Sequence, residues 1–197
     1  MFTFDEKTHT YYLSGVKIPS VSEIISPLYD FSGVSPAKLE NAAHYGKAVH
    51  KTIELFIAGT LEEDKLDDKL KQPLEEFKRF ITAKVIFNED IRVETKCYSN
   101  KLKFAGTIDL ITDIGIIDIK TRKYSPKTDD LQLAAYSILS GFNKPDLYIL
   151  ELLPDKPYNL VKVVNRQAKS MFLYMLDYWH KTNKFNLKLK EWKNEKI

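Results

Sequence analysis

Two carboxylates and a lysine interrupt an otherwise apolar stretch, Gly106-Thr-Ile-Asp109-Leu-Ile-Thr-Asp-Ile-Gly115-Ile-Ile-Asp118-Ile-Lys120. The stretch has the pattern of two strands joined by a tight turn at Asp113-Ile114-Gly115. Charged groups on strands this apolar are costly to bury unless something pairs with them. Residues i and i+2 of a strand share a face, so Asp118 and Lys120 project together, and closure of the turn brings Asp109 beside them. Such a group suggests a divalent-metal site with an ammonium at its edge, since hard cations such as magnesium take oxygen ligands and need few from the protein.

Two helical segments add to this set. Gly46-Lys-Ala-Val-His50 places a glycine one turn before a histidine, so the missing side chain opens space toward which the His50 imidazole leans. Gln132 and Tyr136 are an i, i+4 pair on one helical face.

The elements that must hold these residues follow from local signals. Residues 2–18 alternate aromatic and polar positions around Ser14-Gly15, as a hairpin would. Ser20 and Glu23 have capping-box spacing at a helix start. Ser35-Pro36 opens a longer helix that Ala58-Gly59 closes, with Val49, Ile53, Phe56 and Ile57 as its buried stripe. The charged segment from Leu61 to Lys71 reads as a surface connection. Pro73 then reads as the start of a helix whose apolar face includes Leu74, Phe77, Phe80, Ile81 and Val85. Strands are expected at about 91–98, 103–112, 115–121, 146–153 and 158–164, with helices over 129–140 and 167–180. The order predicts an α/β fold, a central mixed sheet flanked by helices.

The chain has 197 residues, 44% hydrophobic, which is enough for one substantial core, and no Gly/Ser- or Pro-rich linker divides it. One domain over 1–197 is expected, with an N-terminal hairpin and helix (1–35), a core (36–166) and a C-terminal helix with a basic tail (167–197). The net charge of +3 argues only weakly for a polyanionic partner. The placement of charge is more suggestive, with Lys120, Arg122, Lys123 and Lys127 after the hairpin and Lys181, Lys184, Lys188, Lys190, Lys193 and Lys196 near the end. Cys97 is the only cysteine, which excludes an intramolecular disulfide and any four-cysteine zinc or iron–sulfur site. The N-terminus lacks the order of a secretory signal, and no apolar run approaches the roughly 20 residues of a membrane span. A soluble, cytoplasmic protein with no membrane partner is expected.

Taken together, G-x-x-x-H at 46–50, G-T-x-D at 106–109, D-x-K at 118–120 and Q-x-x-x-Y at 132–136 resemble the RecB-type exonuclease branch of the PD-(D/E)xK nuclease superfamily. Pro19-Ser20-Val21-Ser22 is similar to a segment found in several of its members. The resemblance implies a restriction-endonuclease-like core and a magnesium- or manganese-dependent DNA exonuclease acting on single strands or free ends. It implies that His50, Asp109 and Asp118 hold the metal with the backbone carbonyl of Ile119, and that Glu94 supports a second metal. Lys120 would then orient or activate the attacking water, burial easing loss of its proton. Gln132 and Tyr136 would brace the site or touch the nucleic-acid backbone, with Arg122 and Lys123 as further substrate contacts. Cluster-bearing members of the group carry four cysteines that this chain lacks. No G-x-x-x-x-G-K-[ST] loop is present, so a motor would come from a partner helicase or another replication or recombination protein. An endonuclease with the same centre and a non-catalytic nucleic-acid-binding module are the rival readings. His9, His44 and His180 read as ordinary partly buried histidines, and Asp113 as a turn former.

Overall fold

A computed structural model describes residues 1–84 and 91–194. Three short strands come first: β1 (Phe2–Asp5), β2 (Thr10–Leu13) and β3 (Val16–Ile18), an antiparallel sheet in the order β1-β2-β3. The hairpin turn falls at Ser14-Gly15 as expected, and β1 adds a third strand. Helix α1 (Val21–Ile25) follows with both arms of the capping box formed by Ser20 and Glu23. Helix α2 (Pro36–Ile57) is capped by the Ser35 hydroxyl and buries Val49 and Ile53, while Phe56 and Ile57 are only half-buried.

Helix α3 (Asp68–Ala83) begins five residues before Pro73, which lies inside it. The Asp67 carboxylate accepts from the Lys69 N–H and starts the helix. The proline withdraws one helical donor, and its buried ring joins the apolar face with Leu74, Phe77, Phe80 and Ile81. Val85 lies outside the described residues, as does Lys196 of the basic tail.

The larger sheet contains β4 (Arg92–Ser99), β5 (Phe104–Thr112), β6 (Gly115–Lys120), β7 (Leu147–Glu151) and β8 (Asn159–Lys162) in that spatial order. All neighbours are antiparallel except β6 and β7, which run parallel across the crossover helix α4 (Pro126–Leu139). Helix α5 (Ala168–Asn194) closes the chain and runs well past the expected end at 180. The protein is α/β, with a five-stranded mixed sheet flanked by helices. Among the described residues, no helix is long and apolar enough to cross a membrane.

Two apolar layers cover the sheet. One joins α1, α4 and α5 to Phe104, Ile108, Ile111, Ile116 and Ile149. The other joins α2 and α3 to Leu110, Ile117, Ile119, Leu150 and Leu152. Strand alternation would put Ile108 and Leu110 on one face, yet they belong to opposite layers, so β5 changes phase at Asp109. On β4 the same change separates Cys97 from Val93, and Glu94 between them has φ +46°, inside the left-handed region.

Gly115 fixes the other end of the β5–β6 hairpin. Its φ is +138°, and a Cβ there would lie 2.3 Å from the carbonyl oxygen of Asp146. That carbonyl accepts the Ile116 N–H at 2.9 Å, so the hairpin turn is locked to the chain entering β7.

Candidate metal centre

β5 and β6 pair through Thr112↔Gly115, Ile111↔Ile116 and Leu110↔Ile117, and the ladder then stops. Continuing the register would set Asp109 opposite Asp118. Instead the strands part, and Asp109 Oδ2 accepts the Ile119 N–H at 2.7 Å. The carboxylate thus replaces a backbone acceptor while its other oxygen, Oδ1, remains 3.6 Å from His50 Nδ1. Glu94 Oε1 approaches the same nitrogen to 3.3 Å, aided by its unusual backbone, and His50 Nε2 faces the Ile119 carbonyl oxygen at 3.2 Å. One ligand atom from each of His50, Glu94 and Asp109 can be chosen so that all lie within 4.8 Å of one another.

Asp118 and Lys120 share the face of β6 that α4 covers. Asp118 Oδ2 pairs with Lys120 Nζ at 2.7 Å, Oδ1 has no donor among the described residues, and the side chain is fully buried. Lys120 Nζ also donates to Gln132 Oε1 at 2.9 Å, and Gln132 Nε2 donates to the Tyr136 hydroxyl at 2.8 Å. The expected i, i+4 pair on α4 is therefore a buried brace behind the lysine. All four expected groups share this corner of the sheet. His50 and Asp109 meet Glu94 there, and Asp118 meets Lys120.

The charges here are strained by burial. Desolvation pushes the Asp118 carboxyl up to about 7 against the pull of Lys120, and Asp109 is raised for the same reason. Burial alone would lower His50, but Asp109 and Glu94 overcome it and lift the imidazole to about 9. Burial would likewise favour a neutral Lys120, but Asp118, Asp109 and Asp129 raise its pKa instead. The surrounding carboxylates outweigh desolvation and push the Lys120 amine up, opposite to the expected direction, and a cation held by those same carboxylates would offset their pull.

Two clefts meet at this centre. One, of about 330 Å³, lies between α2 and the small sheet and includes His9, Tyr11, Lys47, His50, Glu94 and Asp109. The other, of about 550 Å³, reaches His50 and Asp109 from the side of Asp118, Lys120 and Arg122. Gly46 borders the first, and a methyl there would sit 3.5 Å from Thr121 Oγ1, an ordinary contact. The passage of α2 past the end of β6 therefore leaves room for a Cβ at this position. Gly106 is tighter: a Cβ would meet Val21 at 3.0 Å and Tyr136 at 3.1 Å, which is where α1 and α4 press on β5.

Of the remaining expected contacts, Lys123 is exposed and lines neither cleft. Arg122 is engaged elsewhere, donating through both terminal nitrogens to the buried Asp129 at 2.9 and 2.6 Å. Sequence reasoning missed Asp129 and its neighbours. Asp130 accepts from the Tyr124 hydroxyl and from Asn165, and Glu151 accepts from the Tyr124 N–H and from Asn159. Together these groups pin the loop that follows Lys120. Glu151 carried the signal used for the hairpin, a carboxylate embedded among apolar residues, whereas Asp129 and Asp130 follow Lys127-Thr128 and carried none. No protein-family model matches the chain, and no curated protein matches it.

Proposed function

We propose that this protein is a divalent-metal-dependent nuclease of the RecB-like type that hydrolyses DNA phosphodiester bonds from free ends. The observation that carries the reading is Asp118. Its Oδ1 is buried with no donor among the described residues and its Oδ2 has only the Lys120 amine, next to a second raised carboxylate and a histidine, a set of groups that a cation would suit. His50, Glu94 and Asp109 would hold the ion on one side and Asp118 would face it from the other, with oxygen and imidazole donors that suit magnesium or manganese. When bound, such an ion polarises the phosphate and lowers the pKa of a coordinated water from about 15.7 toward neutrality.

The chain's own residues do the rest. The Ile119 N–H fixes the Asp109 carboxylate, and the Ile119 carbonyl fixes the His50 ring, so the donors keep their aim without substrate. Lys120, held by Gln132 and Tyr136, presents its amine to the negative charge that grows on the phosphate. It would orient or activate the attacking water, and a Lys120→Arg enzyme with full activity would argue against its acting as the base.

The test is incubation with linear and covalently closed circular DNA, single- and double-stranded, in magnesium, manganese or EDTA. Loss of linear DNA alone, only with metal, is the expected result. Cleaved circles would make the enzyme an endonuclease, and binding without cleavage in every condition would leave a nucleic-acid-binding module.

A further inference from the structure

The small N-terminal sheet forms one wall of the cleft that contains His50, Glu94 and Asp109, and that wall is aromatic. Phe2 and Phe4 alternate onto one face of β1. Tyr98 of β4 stacks on Phe2, with centroids 4.4 Å apart and planes at 13°. Phe4 lies 4.7 Å from Tyr11 and meets the His9 ring edge-on at 5.0 Å. Tyr11 is buried and fixed by a 2.7 Å hydrogen bond between its hydroxyl and Thr107, so it forms a rigid floor. Above that floor the rings are open: Tyr98 is 43% exposed, His9 is exposed, and Phe2 and Phe4 are half-buried.

Positive charge flanks the rings. Lys96 Nζ sits 5.1 Å from the Phe4 centroid, and Lys47 lies across the cleft on α2. Neither forms an ion pair among the described residues, whereas the neighbouring Lys51 is neutralised by Glu54 at 2.8 Å. His9 and Tyr11 line the cleft itself, so the aromatic wall is continuous with the metal centre.

We infer that this wall is a stacking track that leads a single strand of nucleic acid to the centre. Its bases lie on Tyr98, Phe4 and His9, and its phosphates lie toward Lys96 and Lys47. Exposed rings beside unpaired lysines match a chain that has a π-face and a charge in every repeat. A folded protein partner would instead have to bury both ammonium groups without counter-ions. The inference rests on the nuclease reading for its purpose but is tested by binding alone.

The probes are a fluorescein-labelled 20-mer of deoxythymidine, an abasic 20-mer of equal charge and a blunt 20-base-pair duplex, titrated in EDTA by anisotropy. The wild type should prefer the thymidine strand to the abasic one by roughly tenfold, the low end of what one stacked base contributes. The double variant His9→Asn/Tyr98→Thr, in which asparagine tolerates the positive φ of His9 and Phe4 is kept, should cut that preference several-fold and leave abasic binding unchanged. Equal wild-type affinity for the two strands overturns the inference even if the variant fails to fold, because that comparison needs no mutation. Tighter binding of the duplex overturns it too, as does wild-type self-association by sedimentation that the variant loses, which would reassign the face to a second copy. A protein that cleaves without base preference refutes the track and leaves the nuclease reading intact. One that prefers bases yet never cleaves does the reverse.

Discussion

Asp118 and Asp129 are both fully buried carboxylates next to a cation, and they lie on either side of the loop that follows β6, yet their surroundings are opposite. Asp129 receives both arms of the Arg122 fork and the Ser125 N–H at 2.7 Å. Burial alone would raise its pKa, and these donors reverse the effect and hold it below the ordinary value. Asp118 has only Lys120, at 2.7 Å on Oδ2, as a partner among the described residues, and burial pushes it up to about 7. The two show how one fold uses the same residue type for different purposes. A carboxylate whose donors are complete fastens the backbone, whereas one left short of donors is available for a ligand. The second arrangement costs stability, as functional sites commonly do.

The comparison can be broken at either member. Asp118→Asn should reduce metal-dependent cleavage on the order of a thousandfold or more, with a melting temperature that moves less than in Asp129→Asn. If both variants lost the fold equally, the two carboxylates would be doing the same structural work. Asp129→Asn should cost about 3 kcal/mol in urea unfolding, since it strands the Arg122 charge and a loop N–H. The wild-type advantage over Asp129→Asn should also depend on pH. A depressed carboxyl contributes stability above the unfolded value of about 3.9 and loses it as pH falls through its lower folded value. The two unfolding curves should therefore converge in acid. A constant gap down to pH 2 would show that shape, not charge, separates them. The smallest effect is expected at Gly46→Ala. With only an ordinary contact to Thr121, the gain in helix propensity should stabilise the fold by about 0.5–1 kcal/mol, and a loss would mean that α2 is packed more tightly than the geometry indicates.

Elements with local punctuation were legible in the sequence. Ser35-Pro36, Ser20 with Glu23, and the apolar runs of β5 to β7 each carry their own signal, and the α/β class followed from their order. Pro73 misled because a proline at a helix start and one in a second turn look alike without the Asp67 cap in view. Strand alternation placed Asp118 with Lys120 correctly, since both follow the period of β6. It could not foresee the change of phase at Asp109 and Glu94, because that change is shared by two strands and leaves no mark in either alone. The Arg122–Asp129 pair was equally hidden. Basic residues after the hairpin read as a surface for phosphates, and only the approach of α4 turns one of them inward.

Gly115 has a reach well beyond its own turn. Because strand side chains alternate, sliding β6 by a single residue would hand the α4 face from Asp118 and Lys120 to Ile117 and Ile119. The latch between the Gly115 turn and the Asp146 carbonyl prevents that slide from the far end of the hairpin, five residues away from the lysine. The facing of Asp118 and Lys120 is thus set remotely, by a residue with no side chain at all.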